Sequence, residues 1–187
     1  NLLRYKNDHI AIRFFGEDGV GSCLSYNDLY KQVARLASAL KKQGIKKGDR
    51  VCGFLPNIPE TIIAMLASIS IGAIWSSCSP DFGIQGVLDR FKQIEPKIIF
   101  TADGYKYNGK VINLLSKLKV ILSKLPSIRT TVIIPFISDG NPVGIPKSIL
   151  WDDFLDPLST EILFEKLPFD HPLYIMYSSG TTGLPKS

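Results

Sequence analysis

The sequence has little of what staples or metallates a small protein. Its 187 residues include three cysteines, Cys23, Cys52 and Cys78, and two histidines, His9 and His171. The cysteine number is odd, the spacing is wide and no C-x-x-C occurs, which argues against a disulfide scaffold and a structural zinc site. Cys52 and Cys78 lie in apolar stretches and are expected to be buried small side chains. There is no N-x-S/T acceptor and no secretory leader, so a reducing cytosol is the expected compartment. No RNP-like aromatic motif, zinc-finger spacing or basic helix is present, so nucleic acid is not an expected partner. The uncharged run from Thr61 to Ser79 is broken by five serines and Gly72. It reads as a buried helix followed by a buried parallel strand, not as a membrane span. Asn1 opens the chain in place of Met, and the last residues lie inside a motif. Both ends read as cuts in a longer protein.

The net charge is +5. A mild basic excess suits anionic ligands, and solubility alone also accounts for it. The densest cluster, Lys41, Lys42, Lys46 and Lys47, falls around a helix end, where cations offset the negative end of the dipole.

Hydrophobic residues make up 45% of the chain, enough for a packed core. Ser25, with Asp28 three residues on, starts a helix whose apolar face is Leu29, Val33, Leu36, Ala37 and Leu40, stopped at Gly44. Arg50 to Leu55 reads as a strand. Pro59 opens a second helix with Ile62, Ile63, Leu66 and Ile69 inward. Ala73 to Ser77 is the next strand, and 83 to 94 a third helix with Val87, Leu88, Phe91 and Ile94 inward. Asp81 is its expected cap. Lys97 to Thr101 reads as a strand, Val111 to Leu122 as a fourth helix and Thr130 to Phe136 as a further strand. Ile10 to Phe15 and Ser22 to Leu24 form a hairpin. Residues 138 to 170, with Pro142, Pro146, Pro157 and Pro168, read as a surface excursion, with helix initiation at Asp153. Trp75, Trp151 and His171 are expected to be structural. Alternating strands and helices predict an α/β fold around a mostly parallel sheet flanked by helices, with ligands at the carboxyl ends of its strands.

Leu173 to Tyr177 is an apolar run expected to form a strand. It leads directly into Ser178-Ser179-Gly180-Thr181-Thr182-Gly183-Leu184-Pro185-Lys186. Glycines allow close backbone approach and positive φ. Successive N–H groups make a concave anion site. Four hydroxyls, from Ser178, Ser179, Thr181 and Thr182, can donate to phosphate oxygens, and Lys186 adds a mobile positive charge. This is a phosphate-gripping loop. It is not a Walker A loop, because the position of the second glycine is held by Pro185.

The run Tyr177 to Lys186 resembles the phosphate-loop signature of adenylate-forming enzymes, the superfamily of acyl-CoA synthetases, luciferases and peptide-synthetase adenylation domains. Three further stretches resemble the acetoacetyl-CoA synthetase family: Ser79-Pro80-Asp81-Phe82-Gly83, then Leu88 to Lys97, then Leu167 to Leu173. Ser187 departs from the glycine usual in the superfamily. The resemblance implies that residues 1–187 are an incomplete N-terminal AMP-binding (adenylation) domain, with the downstream part and a C-terminal domain lying elsewhere. It implies an acid–thiol ligase reaction. A carboxylate, here acetoacetate, attacks the α-phosphate of ATP, and the thiol of coenzyme A then displaces AMP. By resemblance, Ser178, Ser179, Gly180, Thr181, Thr182, Gly183 and Lys186 contact ATP, with Mg²⁺ bridging phosphate oxygens. No residue of this chain is assigned to catalysis or to the metal. By itself the chain is expected to be inactive in both half-reactions.

Tyr107-Asn108-Gly109-Lys110 falls where related acetyl-CoA synthetases bind coenzyme A through basic residues. Tyr107 stands in place of an arginine, and Lys110 keeps the charge. A plain Asn-Gly turn is the other reading. Two other functions stand beside the leading one: a different acyl-CoA ligase of the superfamily, and a non-catalytic nucleotide-binding module. The acyl pocket and the oligomeric state are not encoded legibly in these residues.

Overall fold

The computed structural model describes residues 3–138, 144–178 and 185–186. A hairpin opens it: β1 (Ile10–Phe15) pairs antiparallel with β2 (Gly21–Ser25). Helix α1 (Tyr26–Lys42) follows at once. Ser25 is its N-cap, and the capping box is complete: the Ser25 hydroxyl accepts from the Asp28 N–H at 3.1 Å, while Asp28 accepts from the Ser25 N–H. Lys41 and Lys42 occupy its last turn, as the charge pattern predicts.

Strands β3 (Arg50–Phe54), β4 (Ile74–Cys78), β5 (Ile98–Ala102), β8 (Thr130–Ile134) and β9 (Ser148–Leu150) build one parallel sheet in the order β4-β3-β5-β8-β9. Between them run α2 (Pro59–Ser70), α3 (Ile84–Ile94), the antiparallel hairpin β6 (Gly104–Tyr107) and β7 (Lys110–Asn113), and α4 (Leu115–Ser123). A short helix, α5 (Trp151–Phe154), follows β9.

Side chains alternate across each strand, so the sheet has two apolar faces. Val51, Trp75, Ile98, Phe100, Val132 and Ile134 pack with α1, α2 and α5. Cys52, Phe54, Cys78, Ile99 and Ile133 pack with α3 and α4. Phe100 is fully buried, and its ring meets Trp75, Trp151 and Phe154 at centroid distances of 6.3, 5.9 and 6.1 Å. Both tryptophans and both sheet cysteines are therefore packing residues, as expected. His171 is structural too, its Nε2 donating to the Gly72 carbonyl at 3.0 Å.

Four expectations need correction. The helix expected from Val111 begins at Leu115, because 110–113 pair with 104–107 as a hairpin. Asn108 and Gly109 supply the two successive positive φ values, 49° and 71°, that a two-residue hairpin turn requires. The cap of α3 is Gly83, with no side-chain bond, and Asp81 instead accepts from the Ser79 hydroxyl. Asp153 lies within the first turn of α5, which begins at Trp151. Finally, part of 138–170 is core. Ile145, Trp151, Phe154 and Ile162 are buried, and β9 extends the sheet.

Candidate functional site

A parallel sheet collects its loops by strand polarity, and register shows which of them meet. Phe54 of β3 lies opposite Cys78 of β4 and opposite Thr101 of β5. The segment expected as a last strand runs parallel to β4 through one bridge, Trp75 to Tyr174. Trp75 N–H donates to Leu173 O at 2.9 Å, Ile175 N–H donates to Trp75 O at 2.8 Å, and the Ser76 hydroxyl donates to Ile175 O at 2.9 Å. It is an edge pairing rather than a full strand. Continued along that register, the turn after Cys78, the hairpin after β5 and Ser178 all emerge at the carboxyl end of the sheet, where parallel folds bind ligands.

Of the predicted phosphate loop, Ser179, Gly180, Thr181, Thr182 and Gly183 lie outside the described residues, and Ser178 and Lys186 lie within them. These two close the loop through an antiparallel bridge, in which the Ser178 N–H donates to Lys186 O at 3.2 Å. Helix α3 grips both sides of the closure. The Tyr177 hydroxyl donates to the Arg90 carbonyl at 2.8 Å, and Gln93 Nε2 donates to Pro185 O at 2.8 Å. Burial, above all, pushes the Tyr177 phenol up to about 12, so it stays a neutral donor. The Arg90 guanidinium lies 4.6 Å from the Phe82 ring centroid and 5.6 Å from that of Tyr177. Lys186 is exposed and makes no ion pair among the described residues.

The second predicted group, Tyr107, Asn108, Gly109 and Lys110, forms the tip of the β6–β7 hairpin, with all four residues exposed. The Asn-Gly turn is thus real, and it presents Tyr107 and Lys110 side by side as a paired position of the ladder. The tip rests on the β1–β2 turn: Asn108 N–H donates to Glu17 Oε1 at 3.1 Å, and Lys106 pairs with Asp18. The Lys106 ammonium lowers the Asp18 carboxyl. A cleft of about 290 Å³ between the hairpins is bordered by Phe15, Glu17, Asn57, Tyr105 and Lys106. Burial first, and then the Asp81 carboxylate beside it, pushes the Tyr105 phenol up to about 12.

Other residues of this end carry no obvious motif. Lys117 of α4 reaches the turn after β4, donating to Pro80 O at 3.1 Å. Asp103, in Thr101-Ala102-Asp103-Gly104, is buried directly after β5. A carboxylate at a strand's carboxyl end was a signal available in the sequence, whereas Lys117 becomes visible only once α4 is packed. Among the described residues no group of three or more His, Cys, Asp or Glu side chains could hold a metal ion, and no helix is long and apolar enough to cross a membrane. A magnesium ion entering with a nucleotide keeps water and phosphate oxygens as ligands and needs no such protein cage. This end of the molecule fits it on those terms.

Comparison with known proteins agrees with this geometry. A model of the family described as AMP-binding enzyme matches residues 2–187. An acetoacetyl-CoA synthetase from Macaca fascicularis is 47% identical over 196 residues, covering 100% of this chain and 29% of the relative. One from Rhizobium meliloti is 49% identical over 189 residues, with the same coverage. The solved acetoacetyl-CoA synthetase from Streptomyces lividans superposes with a TM-score of 0.92 at 40% identity, over 98% of this chain and 28% of that one. The chain thus spans 29% of the length of the curated relatives it matches. The family match spans nearly the whole chain, and the chain belongs to the family of AMP-binding enzymes.

Proposed function

We propose that this chain is an early part of the N-terminal adenylation domain of an ATP-dependent acid–thiol ligase, with acetoacetate as the acid and coenzyme A as the thiol. The observation that carries this reading is the closed loop. A bridge between Ser178 and Lys186 closes it at the carboxyl end of a parallel sheet, and among the described residues the lysine makes no ion pair. Such a loop holds the β- and γ-phosphates of ATP as the carboxylate attacks the α-phosphate. Ser178, Ser179, Gly180, Thr181, Thr182 and Gly183 supply hydrogen bonds, and Lys186 offsets the charge that develops on the leaving pyrophosphate. Mg²⁺ supplies further charge neutralisation on those oxygens when bound. The acyl adenylate then meets the thiol of coenzyme A, whose nucleotide end is taken by the hairpin tip, with Tyr107 stacking on adenine and Lys110 meeting a phosphate. The choice of acetoacetate rests on relatives that carry that name, at 47–49% identity. Two buried, unpaired thiols suit a cytosolic setting.

The test is ATP–pyrophosphate exchange by the full-length protein. Acetoacetate should support exchange, and Lys186→Ala should lower it by about tenfold or more, as loss of a charged phosphate contact does. Exchange with other short acids but not acetoacetate would reassign the substrate. Nucleotide binding with no exchange for any acid would make the protein a non-catalytic nucleotide-binding module.

A further inference from the structure

Asp103 is fully buried, yet no step proposed above uses it. A carboxylate is expensive to bury unless donors meet its oxygens. Four do. Oδ1 accepts from the N–H groups of Phe136 and Ile137 at 2.8 and 3.0 Å, and Oδ2 accepts from the N–H and hydroxyl of Ser138 at 3.0 and 2.7 Å. The backbone of Asp103 is engaged as well. Its N–H donates to Ile134 O at 3.1 Å, and its carbonyl accepts from Leu114 N–H at 2.9 Å.

These bonds join the end of β5, the turn after β8 and the residue before α4. They enclose the feet of the β6–β7 hairpin, where Gly104 pairs with Asn113. Ile137, fixed through its N–H, presses directly on Gly104, where a Cβ would stand 2.1 Å from Ile137 Cδ1. The carboxylate therefore clamps the base of the same arm whose tip carries Tyr107 and Lys110. An acceptor-only group suits the position, because every partner is a donor.

We infer that Asp103 is a positioning residue for the thioester half-reaction: by locking residues 136–138 against the feet of the hairpin, it sets where Tyr107 and Lys110 meet the nucleotide end of coenzyme A. This rests on the assignment of the hairpin tip to coenzyme A made above. Asp103 acts through the hairpin and touches no substrate.

The experiment separates the two half-reactions of the full-length protein. ATP–pyrophosphate exchange with acetoacetate needs no coenzyme A, whereas thioester formation does. Asp103→Asn places an amide donor against donors. It should raise the KM for coenzyme A by about tenfold or more while leaving exchange within about threefold of the parent. Ser138→Ala, which keeps the carboxylate and its backbone donors, should raise that KM by about threefold, and it carries the test if the first variant does not fold. An equal loss in both half-reactions would reduce Asp103 to a structural residue and overturn the inference, as would an unchanged KM in both variants. Lys110→Ala keeps the two readings apart. If it raises the KM for coenzyme A and the clamp variants do not, only the inference about Asp103 fails. If it too leaves the KM unchanged, the hairpin is not the coenzyme A site and both fail.

Discussion

Gly104→Ala isolates the tightest backbone approach to a glycine among the described residues. The new methyl would lie 2.1 Å from Ile137 Cδ1 and 2.5 Å from the Ile112 carbonyl oxygen. The two obstacles differ in kind. The Ile137 terminus can turn aside at a rotamer cost of about 0.5–1.5 kcal/mol. The Ile112 carbonyl cannot, because Ile112 is paired with Tyr105 in the hairpin ladder, and moving it weakens a hydrogen bond worth about 1 kcal/mol net. With the usual cost of overpacking, the hairpin should lose about 2–4 kcal/mol of local stability. At 1.4 kcal/mol per tenfold, its amides should exchange between about thirtyfold and nearly a thousandfold faster. Hydrogen exchange read by mass spectrometry on a peptide covering 104–113 measures this directly, with a peptide from α1 as the internal reference. Adding Ile137→Ala should restore only part of the protection, since the carbonyl contact remains. Full restoration would refute the reasoning that backbone sets the limit. So would unchanged protection of the hairpin, or an equal loss of protection in α1.

Two further predictions test the packing of the sheet and its ends. Cys23 is exposed, whereas Cys52 and Cys78 are buried; burial pushes the Cys78 thiol up to about 12 and that of Cys52 well above its ordinary range. Since the thiolate is the reactive form, a thiol reagent should label Cys23 rapidly in the native protein and reach the other two only on unfolding; rapid labelling of Cys52 would contradict the packing. Burial alone would raise the Asp49 carboxyl, but the Lys97 ammonium at 2.6 Å and the Lys46 N–H hold it below the usual carboxylate range. A carboxyl lowered by folding stabilises the native state above its unfolded value of about 4, and this contribution is lost as the pH falls through the folded value. Lys97→Met should therefore lower the melting temperature at neutral pH, with the gap closing in acid, and a gap independent of pH would count against the pair.

Local order was legible wherever a signal and its partner lie within a few residues. The capping box of α1 needs only Ser25 and Asp28, and the inward face of α3 needs only its own periodicity. The apolar runs of β3, β5 and β8 announced central parallel strands. Such features depend on backbone propensity and side-chain spacing, which a sequence states outright.

What only the tertiary structure decided involves partners distant along the chain. Residues 110–113 have the apolar content of a helix start, yet pairing with 104–107 outweighs that propensity. The three residues of β9 are too few to show periodicity and become a strand only because β8 offers an edge. Residues 173–177 settle for a single bridge to β4. Asp103 finds its donors more than thirty residues away, at 136–138, and its burial becomes tolerable only once they arrive. The sequence by itself determined the fold class and the family, because both follow from local spacing and motif. The assembled sheet decided which segments share its carboxyl end, because pairing and desolvation act between residues that only folding brings together.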